Sequence, residues 1–239
     1  MSTRMAHLEE RLRIKTTGTG QKVREPWVIG GPQHCIEKCI GSYTKTAPMR
    51  RIGLPLLDRL GMCKKEKRAK MYVELGDIFL ISGVISKYNY LEDKANGQYR
   101  KALHYYEKAI ALGVENADVY YHCGLIYARL NRYKSSIIEA IKYYNKSIKL
   151  SETAEAYNNR GCARIKHADY CLKESEKAKY NGETDKAGKL VEEAQKEMQK
   201  AINDFGKARE ICPKCAEPSH NSRLASEKAG KISHVRYLH

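Results

Sequence analysis

The sequence predicts an all-α chain of paired antiparallel helices, and three observations carry that prediction. Apolar and aromatic residues keep helical spacing over most of the chain beyond residue 67. A motif of aromatic, three residues and glycine occurs three times. Each occurrence is followed by alanine, three residues, an aromatic, two residues and a small side chain. The pattern is clearest between residues 117 and 150, where Tyr120, Gly124 and Tyr127 are followed by Ala140, Tyr144 and Ser147. Steps of four and three put each trio on one face of a helix. Glycine inside a helix costs about 1 kcal/mol relative to alanine. Gly124 therefore implies a second helix lying too close for a side chain.

The same trios flank this stretch. Upstream, Tyr72, Gly76 and Phe79 precede Ala102, Tyr106 and Ala109; downstream, Tyr157, Gly161 and Arg164 precede Ala201, Phe205 and Ala208, with Pro213 beyond. The pattern resembles the tetratricopeptide repeat, a helix-turn-helix unit of about 34 residues with small and aromatic residues at fixed places. The resemblance spans residues 67–231. It implies an all-α, right-handed superhelical array of helix-turn-helix repeats with elongated helices and a capping helix. The repeats fall at about 69–116, 117–153 and 154–215, the capping helix at 217–231 and a tail at 232–239, while residues 1–66 form a basic N-terminal arm with short helices.

Taken in order, residues 3–15 carry Met5, Leu8 and Leu12 along one helical face. Periodicity then dissolves from Thr16 to Pro48, an extended arm holding the single tryptophan, Trp27, which is expected to pack back on the helices. Residues 52–62, broken by Gly53, Pro55 and Gly61, read as a short helix leaning on the first repeat. The repeats differ in their insertions: Gly76 to Ala102 spans 26 positions, Gly124 to Ala140 spans 16 and Gly161 to Ala201 spans 40. An antiparallel pair absorbs extra length only if both helices lengthen together. The third repeat should therefore be a coiled-coil-like finger extended by about 20 Å, with Asn181-Gly182 at its tip. Leu190, Ala194, Met198 and Ala201 should face Ile165, Ala168 and Leu172. The segment after Pro213 should cap the last repeat, whose apolar face would otherwise be bare.

Composition excludes several classes. The 239 residues are 42% hydrophobic and 30% charged, and no apolar run approaches the ~20 residues of a membrane span. Arg4, Glu9, Glu10 and Arg11 interrupt any apolar leader core, and a cytoplasmic location is expected. Of the net charge of +16, residues 1–70 contribute +10, from 16 Lys/Arg against 6 Asp/Glu. The eight cysteines are expected as reduced thiols, with Cys123 and Cys162 acting as small hydrophobes beside the repeat glycines.

Signals for chemistry are sparse. Cys212-Pro-Lys-Cys215 has the spacing of a zinc or redox pair, and Cys35 and Cys39 form a second pair that a tetrahedral zinc site would need. Pro213 already has a reason to exist in the inter-repeat turn, so free thiols are expected, with no bound metal and no cofactor. The stretch TTGTGQK lacks the spacing and the Ser/Thr of a phosphate loop. His104, His122 and His167 are scattered, and no catalytic grouping is visible. Of the 17 tyrosines, Tyr72, Tyr106, Tyr120, Tyr127, Tyr144 and Tyr157 sit at packing places.

The resemblance also implies where a partner would bind: the concave face, lined by the first helix of each repeat. There it places Lys70 and Asp77; Asp118, Tyr121, Leu125 and Arg129; and Asn158, Asn159 and Lys166. The subfamily that clamps chaperone carboxylates needs Lys, Asn and Arg where this chain has Val73, Asp77, His122, Glu155 and Asn159. No position matches, and two are acidic, which argues against a chaperone clamp.

The sequence thus points to a non-enzymatic scaffold or adaptor that lays a protein or peptide partner into the concave groove, with no membrane. The second reading is a nucleic-acid-associated protein, peripheral to a ribonucleoprotein, tethered by the arm. Its basic patch would be Arg50, Arg51, Lys64, Lys65, Lys67, Arg68 and Lys70, where residues 64–70 hold five positive charges and one negative. Phosphate contacts of this kind weaken steeply with salt.

Overall fold

The computed structural model describes residues 65–130 and 134–236, and every regular element among them is an α-helix. In chain order these are α1 (Lys65–Tyr88), α2 (Glu92–Ala111), α3 (Ala117–Arg129), α4 (Lys134–Leu150), α5 (Ala154–Tyr180), α6 (Thr184–Ile211) and α7 (Ala216–Arg236). The helices expected at 3–15 and 52–62, the arm around Trp27 and the Cys35/Cys39 pair lie outside the described residues. The described chain is an all-α repeat array of two compact units. One contains α1 and α2, the other α3 to α7.

In the first unit α1 and α2 form one antiparallel hairpin. A methyl group on Gly76 would collide with the ring of Tyr106, which is what the glycine-aromatic spacing requires. The same contact recurs two turns up the hairpin, where a Cβ on Gly83 would stand 2.6 Å from Tyr99 Cδ1. The first repeat's insertion is thus two added turns on each helix, closed by a second glycine-aromatic pair. Both tyrosines are fully buried. The turn between the helices puts Tyr90 at φ 59 while Leu91 N–H donates to Ser86 O at 3.0 Å. That bond closes a helix C-terminus in the manner usually reserved for glycine.

In the second unit each helix packs on the next, and the first helices of successive pairs also meet, α3 against α5 and α5 against α7. Side-chain caps start α3 and α5. Asn116 Oδ1 accepts from Asp118 N at 2.8 Å and Val119 N at 3.1 Å, and Thr153 Oγ1 accepts from Ala156 N at 3.2 Å. Each cap satisfies backbone donors that the first helical turn leaves unpaired. A Cβ on Gly124 would lie 2.8 Å from the Tyr144 ring, and one on Gly161 2.6 Å from that of Phe205.

The finger expected of the third repeat is present. Helices α5 and α6 are 27 and 28 residues long, against 13 for α3 and 17 for α4. They turn at Asn181-Gly182, with Gly182 at φ 76. Their seam buries Ile165, Ala168 and Cys171 against Val191, Ala194, Met198 and Ala201, with Leu172 and Leu190 half-buried beside them. Helix α7 covers the base of the same core with Ala225 and Ile232. Lys228 Nζ reaches both carboxylate oxygens of Asp169 on α5, at 2.8 and 2.7 Å.

Candidate functional site

The first helices of repeats two and three meet along a polar seam. Asn159 Nδ2 donates to the Tyr121 hydroxyl at 2.8 Å, and Lys166 Nζ donates to Ala128 O at 3.3 Å. The Tyr121 ring leans on Tyr144, with centroids 6.0 Å apart, and stays half-exposed. Around it Asp118 is exposed in the first turn of α3, and Arg129 is partly exposed in the last. An acidic residue at a helix N-terminus and a basic one at its C-terminus both suit the helix dipole. The face therefore offers a fixed aromatic ring flanked by opposite charges.

Three residues expected to line the groove are instead buried. Leu125 is 3% exposed, Asn158 0% and Asn159 3%. Asn158 accepts from Asn221 Nδ2 of α7 at 2.9 Å, and the same amide approaches Cys162 Sγ at 3.6 Å. For Asn158 the physical reason is α7, which lies against α5 as the first helix of a further repeat would, whereas Asn159 is used in bonding Tyr121 of α3. Asp77 is also engaged, accepting from the buried Tyr106 hydroxyl at 2.6 Å. Lys70 is exposed on α1.

Of the basic patch, Arg50, Arg51 and Lys64 lie outside the described residues. Lys65, Lys67 and Lys70 are exposed, whereas Arg68 is partly buried. Lys65 already belongs to α1, so the helix begins inside what the sequence assigns to the arm.

The cysteines bring a correction. Cys212 and Cys215 are joined in a disulfide across the α6–α7 turn, with Cα atoms 5.5 Å apart, where free thiols were expected. A turn that holds two cysteines this close permits the bridge. Cys123, Cys162 and Cys171 are buried thiols, and burial pushes the Cys162 thiol up to about 12. A thiol so protonated is a poor nucleophile at neutral pH.

Two further groupings join residues of α5 to residues of α6. One is ionic. Arg160 and Arg164 of α5 converge on Asp204 of α6, Arg160 in a bidentate contact at 2.9 and 2.6 Å and Arg164 through Nε at 3.0 Å. Arg164 Nη1 also donates to Glu197 at 2.9 Å, and Lys200 pairs with the other oxygen of Glu197. Burial alone would push the Glu197 carboxyl up, but the Lys200 hydrogen bond and the Arg164 charge hold it below its ordinary range. The second grouping corrects the expectation that His167 joins no cluster with a cysteine. His167 and Cys171 of α5 stand with Glu193 of α6, their ligand-type atoms all within 4.8 Å of one another. No other such cluster occurs among the described residues.

Among the described residues no helix is long and apolar enough to cross a membrane. A family model of the tetratricopeptide repeat matches residues 117–153, which is the α3–α4 pair with the start of the turn that follows it. No curated protein matches the chain.

Proposed function

We propose that this chain, whose residues 117–153 match the tetratricopeptide repeat, is a non-enzymatic adaptor that holds a protein partner. Repeats of this kind generally mediate protein–protein interaction. The observation that carries the proposal here is the face around Tyr121. Its hydroxyl is held by Asn159, its ring is half-exposed, and Asp118 and Arg129 flank it. An aromatic ring fixed in one orientation loses little entropy on binding, and tyrosine and arginine often dominate interfaces. Lys166, near Ala128, extends the face along α5. The partner expected is a short segment with an apolar anchor for the ring and charged groups of both signs. The buried Leu125, Asn158 and Asn159 support this surface from beneath. A cytoplasmic setting belongs to the same proposal.

Exposed Lys65, Lys67 and Lys70 at the start of α1 favour a second reading, in which the basic region meets nucleic acid. One experiment separates the two. The partner is captured on the full chain over a salt series, with and without nuclease, for two variants: Tyr121→Ala with Arg129→Glu, and Lys65, Lys67 and Lys70→Glu. Loss in the first variant and retention in the second support the adaptor. Retention in the first, with loss in the second and after nuclease, overturns it in favour of nucleic acid. Each phosphate contact removed should then lower the salt slope by about one unit.

A further inference from the structure

We infer that His167, Cys171 and Glu193 form a binding site for a divalent transition metal of the zinc class, clamped across the α5–α6 finger. His167 and Cys171 are one turn apart on the same face of α5, and Glu193 meets them from α6. The candidate ligand atoms lie within 4.8 Å of one another, and His167 Nε2 is already 3.2 Å from Glu193 Oε1. Tetrahedral coordination with bonds of 2.0–2.3 Å needs ligand–ligand separations of about 3.3–3.7 Å. The His–Glu edge is thus in place, and closing the others takes about an ångström of side-chain movement.

The second observation is an unsatisfied group. His167 is 7% exposed, and its buried Nε2 makes no well-directed hydrogen bond despite the nearby carboxylate. Buried polar atoms are rarely left so, and an unbound ion is one reason for the exceptions. Burial also pushes the imidazole's pKa down, which keeps the ring in its neutral, ligating form. Burial and the nearby Glu193 carboxylate push the Cys171 thiol up to about 11. Metal binding expels the thiol proton to solvent as the sulfur–metal bond forms. One thiolate, one imidazole and one carboxylate favour zinc-class ions over magnesium or calcium. Three protein ligands leave the fourth position to water.

One opposing charge pairs directly with Glu193. Lys134 Nζ of α4 sits 3.4 Å from Glu193 Oε1 and 5.8 Å from the centroid of the Tyr170 ring. Its side chain is 32% exposed, so it can swing into solvent when a dication arrives. This makes the proposal doubly testable, since losing a ligand and losing the competitor should act in opposite directions.

The test uses the full chain, stripped with chelator under non-reducing conditions so that the Cys212–Cys215 bridge stays closed, and titrated with Co²⁺ and then Zn²⁺. One equivalent of Co²⁺ should bind with a thiolate-to-cobalt charge-transfer band, and Zn²⁺ should displace it. Cys171→Ser should abolish the band, and Glu193→Gln, at a partly exposed position, should weaken binding at least tenfold with helicity unchanged. Lys134→Met should tighten it severalfold. Cys212→Ser with Cys215→Ser should leave the band intact. No stoichiometric band in the parent protein, or a band that persists in Cys171→Ser, overturns the site. So does unchanged affinity in both Glu193→Gln and Lys134→Met.

Discussion

Repeats two and three share the glycine-aromatic contact and differ in what fills the seam beside it. In α3–α4, Tyr143 lies against Tyr127 with ring centroids 5.5 Å apart and planes 16° from parallel. It also meets Tyr120 at 6.3 Å. Lys146 stands over both Tyr120 and Tyr143, at 5.5 and 5.3 Å. In α5–α6 the residue before the locking aromatic is Asp204 in place of Tyr143, and the residue three after the locked glycine is Arg164 in place of Tyr127. A stack of rings has become a buried ionic cluster of Arg160, Arg164, Glu197 and Asp204. The first repeat sides with the second, since Phe79 stacks on Tyr105 at 5.4 Å with nearly parallel planes. The difference teaches that the glycine-aromatic contact sets the approach of the helices, while the flanking positions accept either chemistry. The two chemistries fail differently. A ring stack loses its partners gradually, whereas an ion cluster that loses one member strands the others away from water.

The comparison can be broken most forcefully at Asp204, whose side chain is 7% exposed and receives two guanidinium groups. Asp204→Ala should destabilise by about 3–5 kcal/mol, because it leaves buried charge uncompensated. Tyr143→Leu in the other repeat should cost only about 0.5–1.5 kcal/mol of ring interaction. Chemical unfolding of the two variants measures the gap, and equal losses would mean that the ion cluster is no more than a polar substitute for the stack.

Next comes the feature that the repeats share. Gly124→Leu and Gly161→Leu should each destabilise by about 1–3 kcal/mol through overpacking against Tyr144 and Phe205. Similar thermal shifts for the pair, beside dissimilar ones for Asp204 and Tyr143, would place the common element in the glycine contact. Unchanged melting in either variant would contradict the close approach there.

A smaller, graded effect is expected from pH. The folded state holds the Glu197 carboxyl below its ordinary range, so the unfolded chain takes up its proton first as pH falls. The stability this supplies is complete above the unfolded carboxyl's range, about 4.3, and is lost as pH falls through the lower, folded value. Burial lowers the His167 pKa, which acts in the same direction and begins below about 6.5. Hydrogen exchange followed from pH 7 toward pH 3 should therefore lose protection in α5–α6 before α3–α4. The reverse order would show that the ring stack is the weaker seam.

The smallest effect concerns the hairpin turns. The α5–α6 turn places Gly182 at φ 76, whereas the α1–α2 turn puts Tyr90, 76% exposed, at φ 59. A non-glycine residue there costs about 1–2 kcal/mol, partly offset by the greater freedom of glycine in the unfolded chain. Tyr90→Gly should raise stability by about 0.5–1 kcal/mol, and a loss would point to a role for the ring.

Much of this could be read from the residues. The trios around Gly76, Gly124 and Gly161 identify the helix pairs because close approach permits few side chains. The length of the third insertion and its Asn-Gly tip imply the finger. The second lock, Gly83 on Tyr99, lies inside an insertion and so falls outside any fixed spacing. Asp204 was hidden for another reason: a carboxylate at a seam position makes sense only once Arg160 and Arg164 are seen to reach it. His167 and Cys171 did carry a signal, being one turn apart. Their partner Glu193 follows once the Gly161–Phe205 contact sets the register, which places Cys171 opposite the stretch holding Glu193. Asn158 is buried under α7 because spacing shows that a cap exists and not which face it covers, and Asn159 because its partner Tyr121 lies on another helix. The Cys212–Cys215 bridge turns on redox state, which spacing alone leaves open.

The finger also has a mechanical consequence. Helix α5, with 27 residues, is about 40 Å long, twice the length of α3 with 13. Its outer half is therefore a strut anchored at one end, and Tyr180 near its tip is 92% exposed. A load applied at Tyr180 is magnified at the root of the strut by that leverage, and the Lys228–Asp169 contact sits close to where the bending moment is greatest. Stiffness at the root of the strut thus decides how far the tip can be displaced.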